Sequence, residues 1–270
     1  SNSAPHAVDD VISLDEDSSA AFDVRANDAD AQHDLLTVEL LSAPAQGQLT
    51  AQPDGSFLYQ PAANFNGEDS FTYRLSDGSL QSGAATVRLL VRPVNDAPLA
   101  KSDSGTLAED TVLNLDVLAN DSDPDGNALS IAATGAPAHG KVTVLSDGRL
   151  RYTPNADYNG PDRFTYTVTD FQGGRASADV VLTITPVADA PRAFNDLVQL
   201  DEDGSAQFDV RANDVEPDGE AVTVERLSDP AHGTLTLRSD GSFLYQPQAN
   251  FFGQDSFTYR LSDGTLLSTA

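Results

Sequence analysis

Hydrophobic and polar residues alternate along short stretches of this chain. In the clearest stretch, residues 69–76, Phe71, Tyr73 and Leu75 alternate with polar neighbours. A period of two is typical of a strand with one buried and one solvent-facing side. Helical periodicity is absent, and turn residues recur about every 8–12 positions. The pattern predicts seven strands in the first part of the chain: Val11–Leu14, Ala20–Arg25, Leu36–Leu41, Gln48–Ala51, Ser56–Gln60, Asp69–Ser76 and Ala84–Val91.

The same pattern recurs three times without insertion or deletion. Pro5, Pro98 and Pro191 open similar segments 93 residues apart. We therefore predict three modules. They are residues 1–97, with 1–4 interpreted as a tag or linker, followed by residues 98–190 and 191–270. The positions equivalent to Ala85–Val91 fall beyond residue 270, so the third module is expected to lack most of its last strand.

Seven short strands in about 93 residues are typical of an immunoglobulin-like antiparallel β-sandwich. Tyr73, in the pattern Asp-x-Phe-x-Tyr, resembles the tyrosine that closes one corner of such sandwiches. The chain has no Cys and no Trp, so it differs from the antibody-type branch. Each linker carries two prolines, which fix the backbone and predict stiff joints between modules.

Charge restricts the classes of partner. The 270 residues contain 42 acidic and 15 basic side chains, a formal net charge of −27. This balance disfavours a nucleic-acid backbone and an anionic membrane surface as partners. No apolar run approaches the roughly 20 residues that span a bilayer, so direct membrane insertion is not expected. Of the acidic residues 34 are Asp, the short carboxylate of turns and cation sites.

Counting strands locates these carboxylates. In an antiparallel sandwich, the loops at the bottom of one module meet the linker and the top loops of the next. Acidic or amide residues from all three places converge at the first junction: Glu16, Asp17, Asp69, Asn95, Asp96, Asp121, Asp123 and Asp170. A corresponding set is expected at the second junction: Glu109, Asp110, Asp162, Asp189, Asp214, Glu216, Asp218 and Asp263.

Such a concentration of like charge favours a bound cation. Two unit charges 4 Å apart repel by about 1 kcal/mol in water and by more at lower dielectric. The side chains offer only hard oxygens, which suit Ca²⁺ and disfavour softer metals. Asp121-Ser-Asp-Pro-Asp-Gly126 matches the first half of an EF-hand loop, but its twelfth position is Ala132 and no helices flank it. We therefore predict a calcium loop on a β scaffold.

Several motifs together resemble bacterial cadherin-like (VCBS-type) repeats of large secreted RTX-type adhesins. The motifs are Glu109-Asp110, Ala119-Asn-Asp-Ser-Asp-Pro-Asp-Gly126, Pro137-Ala-His-Gly140, Asn159-Gly160, Phe164-Thr-Tyr166 and Pro186-Val-Ala-Asp-Ala-Pro191. The resemblance implies cadherin-like modules in an elongated rod, with calcium between them. In that family the ligand roles would fall on Glu16, Asp69, Asn95, Asp96, Asp121, Asp123 and Asp170. Ala188 replaces Asn95 in the second linker, which removes one possible ligand.

Two functions follow as hypotheses. In the first, the modules are calcium-stiffened spacers of a bacterial surface adhesin that mediates adhesion or biofilm formation outside the cell. Their partners would be neighbouring modules of the same chain, together with a cell-surface or matrix glycan or another adhesin copy. In the second, the modules themselves bind a glycan or exopolysaccharide through loop aromatics: Phe65, Tyr158, Phe251 and Phe252. Carboxylate pairs recur in every module, where a glycosidase needs one cleft, so an enzyme is not expected.

Overall fold

The protein is all-β. The computed structural model describes residues 2–269, so Ser1, assigned above to a tag or linker, and Ala270 lie outside it. Its helical segments are single 3₁₀ turns at Val24–Asn27, Val117–Asn120 and Val210–Asn213. Within the described range no helix has the length and apolar character needed to cross a membrane. The all-β prediction is confirmed.

Module 1 contains the seven expected strands. They are β1 (Asp10–Asp15), β2 (Ala20–Phe22), β3 (Thr37–Leu40), β4 (Gly47–Ala51), β5 (Phe57–Pro61), β6 (Gly67–Ser76) and β7 (Ala85–Arg92). The seven strand positions of each module are lettered A to G in chain order, and a loop is named by the two strands that it joins. One sheet has the order β1-β7-β6-β3 and the other the order β2-β5-β4. β1 and β7 pair in parallel, as the strand count requires for the first and last of seven strands, and every other pair is antiparallel.

The alternating residues of both sheets form the core of module 1. Phe57, Tyr59, Phe71 and Leu89 are each at most 4% exposed. At about 1.5–3 kcal/mol for each large apolar side chain, this burial is the main stabilising contribution. Tyr73 is fully buried, and its hydroxyl donates to the carbonyl of Val8 (3.0 Å). This contact holds the segment before β1 against the core.

The predicted second strand is shorter than expected. It ends at Phe22, where we predicted that it would continue to Arg25. The carboxylate of Asp23 accepts a hydrogen bond from the backbone N–H of Arg25 (3.0 Å) and caps the 3₁₀ turn. A short acceptor side chain therefore diverts the backbone from the sheet, as Asp commonly does at turn starts.

The described chain divides into two compact units. The first comprises the residues up to Lys101, Val117–Thr134 and Thr165–Ala178, and the second comprises the remaining segments. The strands of the second repeat are β8 (Asp103–Ala108), β9 (Leu113–Leu115), β10 (Ser130–Thr134), β11 (Gly140–Val144), β12 (Leu150–Pro154), β13 (Gly160–Thr169) and β14 (Arg175–Thr185). β8 pairs in parallel with β14, and β12 lies between β9 and β11.

The third repeat, in the second unit, has fewer strands. They are β15 (Ala206–Phe208), β16 (Thr223–Arg226), β17 (Gly233–Leu237), β18 (Phe243–Pro247) and β19 (Tyr259–Ser262). β18 pairs with both β15 and β17, while β16 pairs with β19. The three-stranded sheet of module 1 is therefore reproduced, but the four-stranded sheet is reduced to two strands.

Candidate metal centre

At the first junction, a buried glutamate holds the linker that leaves module 1. Glu16 follows β1 directly and is 4% exposed. Its Oε1 accepts from the backbone N–H of Val94 (2.6 Å) and its Oε2 from the amide of Asn66 (3.3 Å). The second junction repeats this arrangement, because Glu109 accepts from Val187 (2.6 Å) and Asn159 (3.3 Å). Both linkers therefore start from a fixed carboxylate.

Two residues with left-handed backbone conformations shape the loops beside each glutamate. Asp17 and Asn64 have φ values of 57° and 56°, which Asp and Asn tolerate better than other side chains. The Asp17 carboxylate accepts from the Asn64 backbone N–H (3.0 Å). In the second junction Asp110 accepts in the same way from Asp157 (3.2 Å). The A–B and E–F loops are thereby tied together below each sandwich.

The linker and the top loops of module 2 meet through side-chain contacts. The side-chain amide of Asn95 donates to the carboxylate of Asp170 (2.8 Å), and the side-chain amide of Asn127 donates to Oδ1 of Asn95 (3.0 Å). The backbone N–H of Asp96 donates to Asp125 (2.7 Å). At the second junction the equivalent bond joins Asp189 to Asp218 (2.8 Å). The structure thus brings linker and B–C loop acids together at both junctions.

Some carboxylate oxygens at these junctions have no hydrogen-bond donor. Among residues 2–269, Oδ2 of Asp96 and Oδ2 of Asp123 are buried without one. The same holds for Oδ2 of Asp189 and Oε1 of Glu216, which lie 93 positions later. Burying an ionised oxygen without a partner reduces the free energy of unfolding by several kcal/mol. Recurrence of these atoms at both junctions marks two candidate cation sites.

Burial and mutual repulsion shift the pKa values of these carboxylates. Burial, followed by the nearby charges of Asp17 and Asp125, raises the pKa of Asp96 above its ordinary value. Burial and the charges of Asp110 and Asp157 raise the pKa of Asp189. Hydrogen bonding from Asn95 instead lowers the pKa of Asp170. A cation of charge two would relieve the repulsion at Asp96 and Asp189.

The oxygen donors also come close enough to share an ion. Glu109, Asp189 and Asp218 each offer a carboxylate oxygen within 4.8 Å of the others, and so do Asp110, Asp157 and Asp189. All of these ligands are hard oxygens, the type that Ca²⁺ takes in groups of six to eight at about 2.3–2.6 Å. The residues present therefore fit calcium.

A third group of this kind lies at the top of module 1. Asp30, Asp34 and Asp77 offer oxygens within 4.8 Å of one another. Asp30 occupies the position equivalent to Asp123 and Glu216, and its Oδ2 is likewise buried without a donor. This group lies outside the two sets of ligands predicted from the sequence. The 93-residue spacing of the acids Asp30, Asp123 and Glu216 could have identified it from the sequence.

Two of the sequence-predicted ligands have another role in the structure. Asp69 accepts four hydrogen bonds, from the N–H groups of Ala45, Gln46 and Ser70 and from the hydroxyl of Tyr59. Four donors satisfy the four lone-pair directions of a carboxylate. Asp162 is occupied in the same way. These aspartates anchor the C–D turns and offer no free oxygen.

Three further predicted ligands are also partly engaged elsewhere. Asp121 and Asp214 each accept from the corner tyrosine, Tyr166 or Tyr259. Asp263 accepts from two N–H groups of its own F–G loop, at 2.6 Å each. Because Ala188 stands where Asn95 would be, no linker amide can reach Asp263 as Asn95 reaches Asp170.

Comparison with known proteins agrees with this architecture. The family model described as "Bacterial Ig domain" matches residues 2–89, 95–183 and 188–270. Three domains of mouse cadherin-23 (EC22-24) superpose with a TM-score of 0.57 and 17% identity, covering 99% of this chain and 96% of theirs. An endo-fucoidan hydrolase of glycoside hydrolase family 107 matches with a TM-score of only 0.34 and 19% identity, over 99% of this chain and 44% of its own.

A curated relative matches over most of the chain. Integrin beta-like protein A of Dictyostelium discoideum is 24% identical over 251 residues, 82% of this chain. The chain spans only 13% of that relative's length. The resemblance to bacterial cadherin-like repeats is confirmed by the family match and by the cadherin fold of the neighbours. The chain belongs to the bacterial Ig domain family, as three tandem domains.

Proposed function

We propose that these domains are extender modules of a bacterial surface adhesin, and that calcium makes the joints between them stiff. The observation that carries the proposal is the repeated set of buried carboxylate oxygens without donors at Asp96, Asp123, Asp189 and Glu216. Membership of the bacterial Ig family and the fold likeness to cadherin supply an extracellular context. The proposed surroundings are therefore outside the cell, where calcium is abundant.

The residues at each junction divide the work. Glu16 and Glu109 fix the start of each linker, and the linker N–H groups of Asp96 and Asp189 bind the next B–C loop. Calcium supplies the positive charge that cancels repulsion among the remaining oxygens. Extracellular calcium modules commonly have a Kd of about 10⁻⁴–10⁻³ M. Calcium at a hundred times its Kd stabilises the folded junction by about 2.7 kcal/mol.

Direct glycan binding is the weaker alternative. Of the aromatic residues proposed for it, Tyr158 stacks on His139 (4.0 Å between centroids) and Phe251 stacks on His232 (4.4 Å). Each of these rings has one face covered. Phe65 packs against the core of module 1, whereas Phe252 is 84% exposed. A sugar platform needs an accessible aromatic face, and Phe252 is the candidate of this set that keeps one.

A calcium titration tests the proposed function. We expect small-angle scattering to show a longer, less flexible molecule at millimolar calcium than in chelator. Magnesium should substitute poorly, because it requires tight octahedral geometry. Asp96→Asn with Asp123→Asn should weaken calcium binding at the first junction, measured by calorimetry. Asp54→Asn with Asp240→Asn, which removes the same two charges from equivalent turns outside the junctions, is the control. Equal dimensions and flexibility in chelator and in calcium contradict the proposal.

A further inference from the structure

The second junction contains a cation of its own. The guanidinium of Arg192 donates two parallel hydrogen bonds to Asp157, at 2.8 Å from Nη1 and 2.7 Å from Nη2. Asp157 belongs to module 2, and Arg192 follows the linker in module 3. The pair therefore connects the two modules of this junction directly. A bidentate arrangement fixes orientation as well as distance, unlike a single-point ion pair.

This ion pair is part of the acidic cluster described above. One carboxylate oxygen of Asp157 lies within 4.8 Å of one oxygen of Asp110 and one of Asp189. The hydrogen bond to Asp157, followed by its charge and those of Asp189 and Asp110, raises the pKa of Arg192. The guanidinium thus neutralises part of the same negative charge that a bound metal would neutralise.

The first junction has the same loop geometry without this cation. The positions equivalent to Asp157 and Arg192 are Asn64 and Leu99. The Asn64 N–H still binds Asp17, as the Asp157 N–H binds Asp110, so the loop backbone is preserved. Arg92 pairs with Asp15 (2.9 Å), but both residues lie within module 1. At this matched pair of positions the first junction is uncharged and the second carries an ion pair. Lys101 and Asn127 of the first junction also correspond to Phe194 and Glu220 of the second.

The two linkers also differ in the side-chain ligands that they offer. Asn95 bridges to Asp170 at the first junction, whereas Ala188 contributes no side-chain oxygen or amide at the second. The second junction thus has one possible ligand fewer and a tethered cation instead.

We propose that the Arg192–Asp157 pair is a built-in counter-cation that keeps the second junction closed without metal, so that the two junctions respond differently to calcium. The calcium part of this inference rests on the proposed function. In chelator the first junction opens while the second stays ordered. Added calcium stiffens the first junction strongly and changes the second less, because the guanidinium already occupies Asp157 and repels a second cation.

Paired spin labels can measure each junction separately. The chain has no Cys, so introduced cysteines are the sole labelling sites. Thr50, Thr143 and Thr236 are exposed and occupy equivalent positions in β4, β11 and β17. Thr50→Cys with Thr143→Cys spans the first junction, and Thr143→Cys with Thr236→Cys spans the second. Pulsed electron–electron double resonance then gives the distribution of distances between the two labels, and its width can be compared in chelator and in calcium.

Arg192→Leu gives the second junction the residue that the first junction has at the equivalent position, Leu99. We expect it to broaden the second-junction distribution in chelator and to lower its calcium midpoint by about two- to fivefold, the size of effect that a partly exposed ion pair exerts. Leu99→Arg with Asn64→Asp should narrow the first-junction distribution in chelator. Salt at about 1 M should remove that narrowing by screening. Arg149→Leu, which breaks an ion pair with Asp147 inside module 2, is the matched control.

The two hypotheses fail in different ways. If Arg192→Leu leaves the second junction as narrow in chelator as the parent, the built-in cation is excluded. Equal widths of both junctions in chelator exclude it as well. If instead the first junction ignores calcium, the proposed function is wrong, while the broadening by Arg192→Leu in chelator still measures the ion pair by itself.

Discussion

Modules 1 and 3 share their sequence pattern but differ in their sheets. In module 1, β1 covers Asp10–Asp15 and β6 covers Gly67–Ser76. In module 3 the residues equivalent to β1 form no strand, and the counterpart of β6 is the four-residue β19. Leu14 is 5% exposed in module 1, whereas the equivalent Leu200 is 37% exposed. Similar local sequences therefore do not guarantee equal strands.

The pairing registers explain the difference. β1 pairs with β7, and the first seven residues of β6, Gly67–Tyr73, also pair with β7. The last four residues, Tyr73–Ser76, pair with β3. In module 3 the positions equivalent to β7 lie beyond residue 270, and the surviving β19 is the part that pairs with β16. A strand forms here only where a partner supplies its hydrogen bonds.

The largest expected effect comes from supplying the partner. Extending the chain after position 270 by the sequence of Ala85–Arg92 should stabilise module 3 by about 3–5 kcal/mol, because apolar residues of this strand are buried in module 1. Hydrogen exchange should then show protection at 197–200 and 253–258. An extension with Ser at the positions of Val87 and Leu89 is the control. Protection of these residues without any extension, in a proven monomer, contradicts the explanation.

A matched pair of truncations gives the next largest difference. Leu14→Ala removes a buried side chain and should destabilise module 1 by about 2–4 kcal/mol. Leu200→Ala should change the stability of module 3 by less than about 0.5 kcal/mol, because its side chain is already partly exposed. Urea unfolding of each variant measures both values. Equal losses in the two variants would show that 197–200 packs on the core as β1 does.

The smallest effect concerns the buried carboxylate of the C–D turn. Burial opposes ionisation of Asp69, but its four hydrogen bonds prevail and hold its pKa below the ordinary value. Such a group stabilises the fold above its unfolded pKa, about 3.9, and this contribution disappears as pH falls through the lower folded pKa. Asp69→Asn should therefore cost about 1–3 kcal/mol at pH 7.

Asp255 is the matched position in module 3. It accepts the same four hydrogen bonds, but it is more exposed than Asp69, which is 6% exposed. Asp255→Asn should cost less, since water can reach the groups left without a partner. Urea unfolding at pH 7 and below pH 3 should show both differences shrinking in acid. A cost for Asp69→Asn that is unchanged in acid contradicts the role assigned to the carboxylate.

Most of the fold and part of the candidate site could be predicted from the sequence. Alternation at Phe71, Tyr73 and Leu75 located β6 because burial on one side imposes that period. Strand counting brought Asp96 toward Asp123 because chain direction alone places loops at module ends. The role of Asp69 could not be predicted, since its donors lie up to 24 residues away in no fixed motif. The Arg192–Asp157 pair depends on side-chain directions across a linker, which periodicity does not encode.

The parallel pairing of the first and last strands has a mechanical consequence. Six residue pairs join β1 to β7, from Asp10–Val87 to Asp15–Arg92. Tension applied through the neighbouring segments pulls the start of β1 and the end of β7 in opposite directions along the strands. The hydrogen bonds between them are then loaded in shear, all at once, so they resist extension together. β8 and β14 join six pairs in the same way. Under load, these two modules should unfold at a higher force than a module whose first strand lacks this parallel partner.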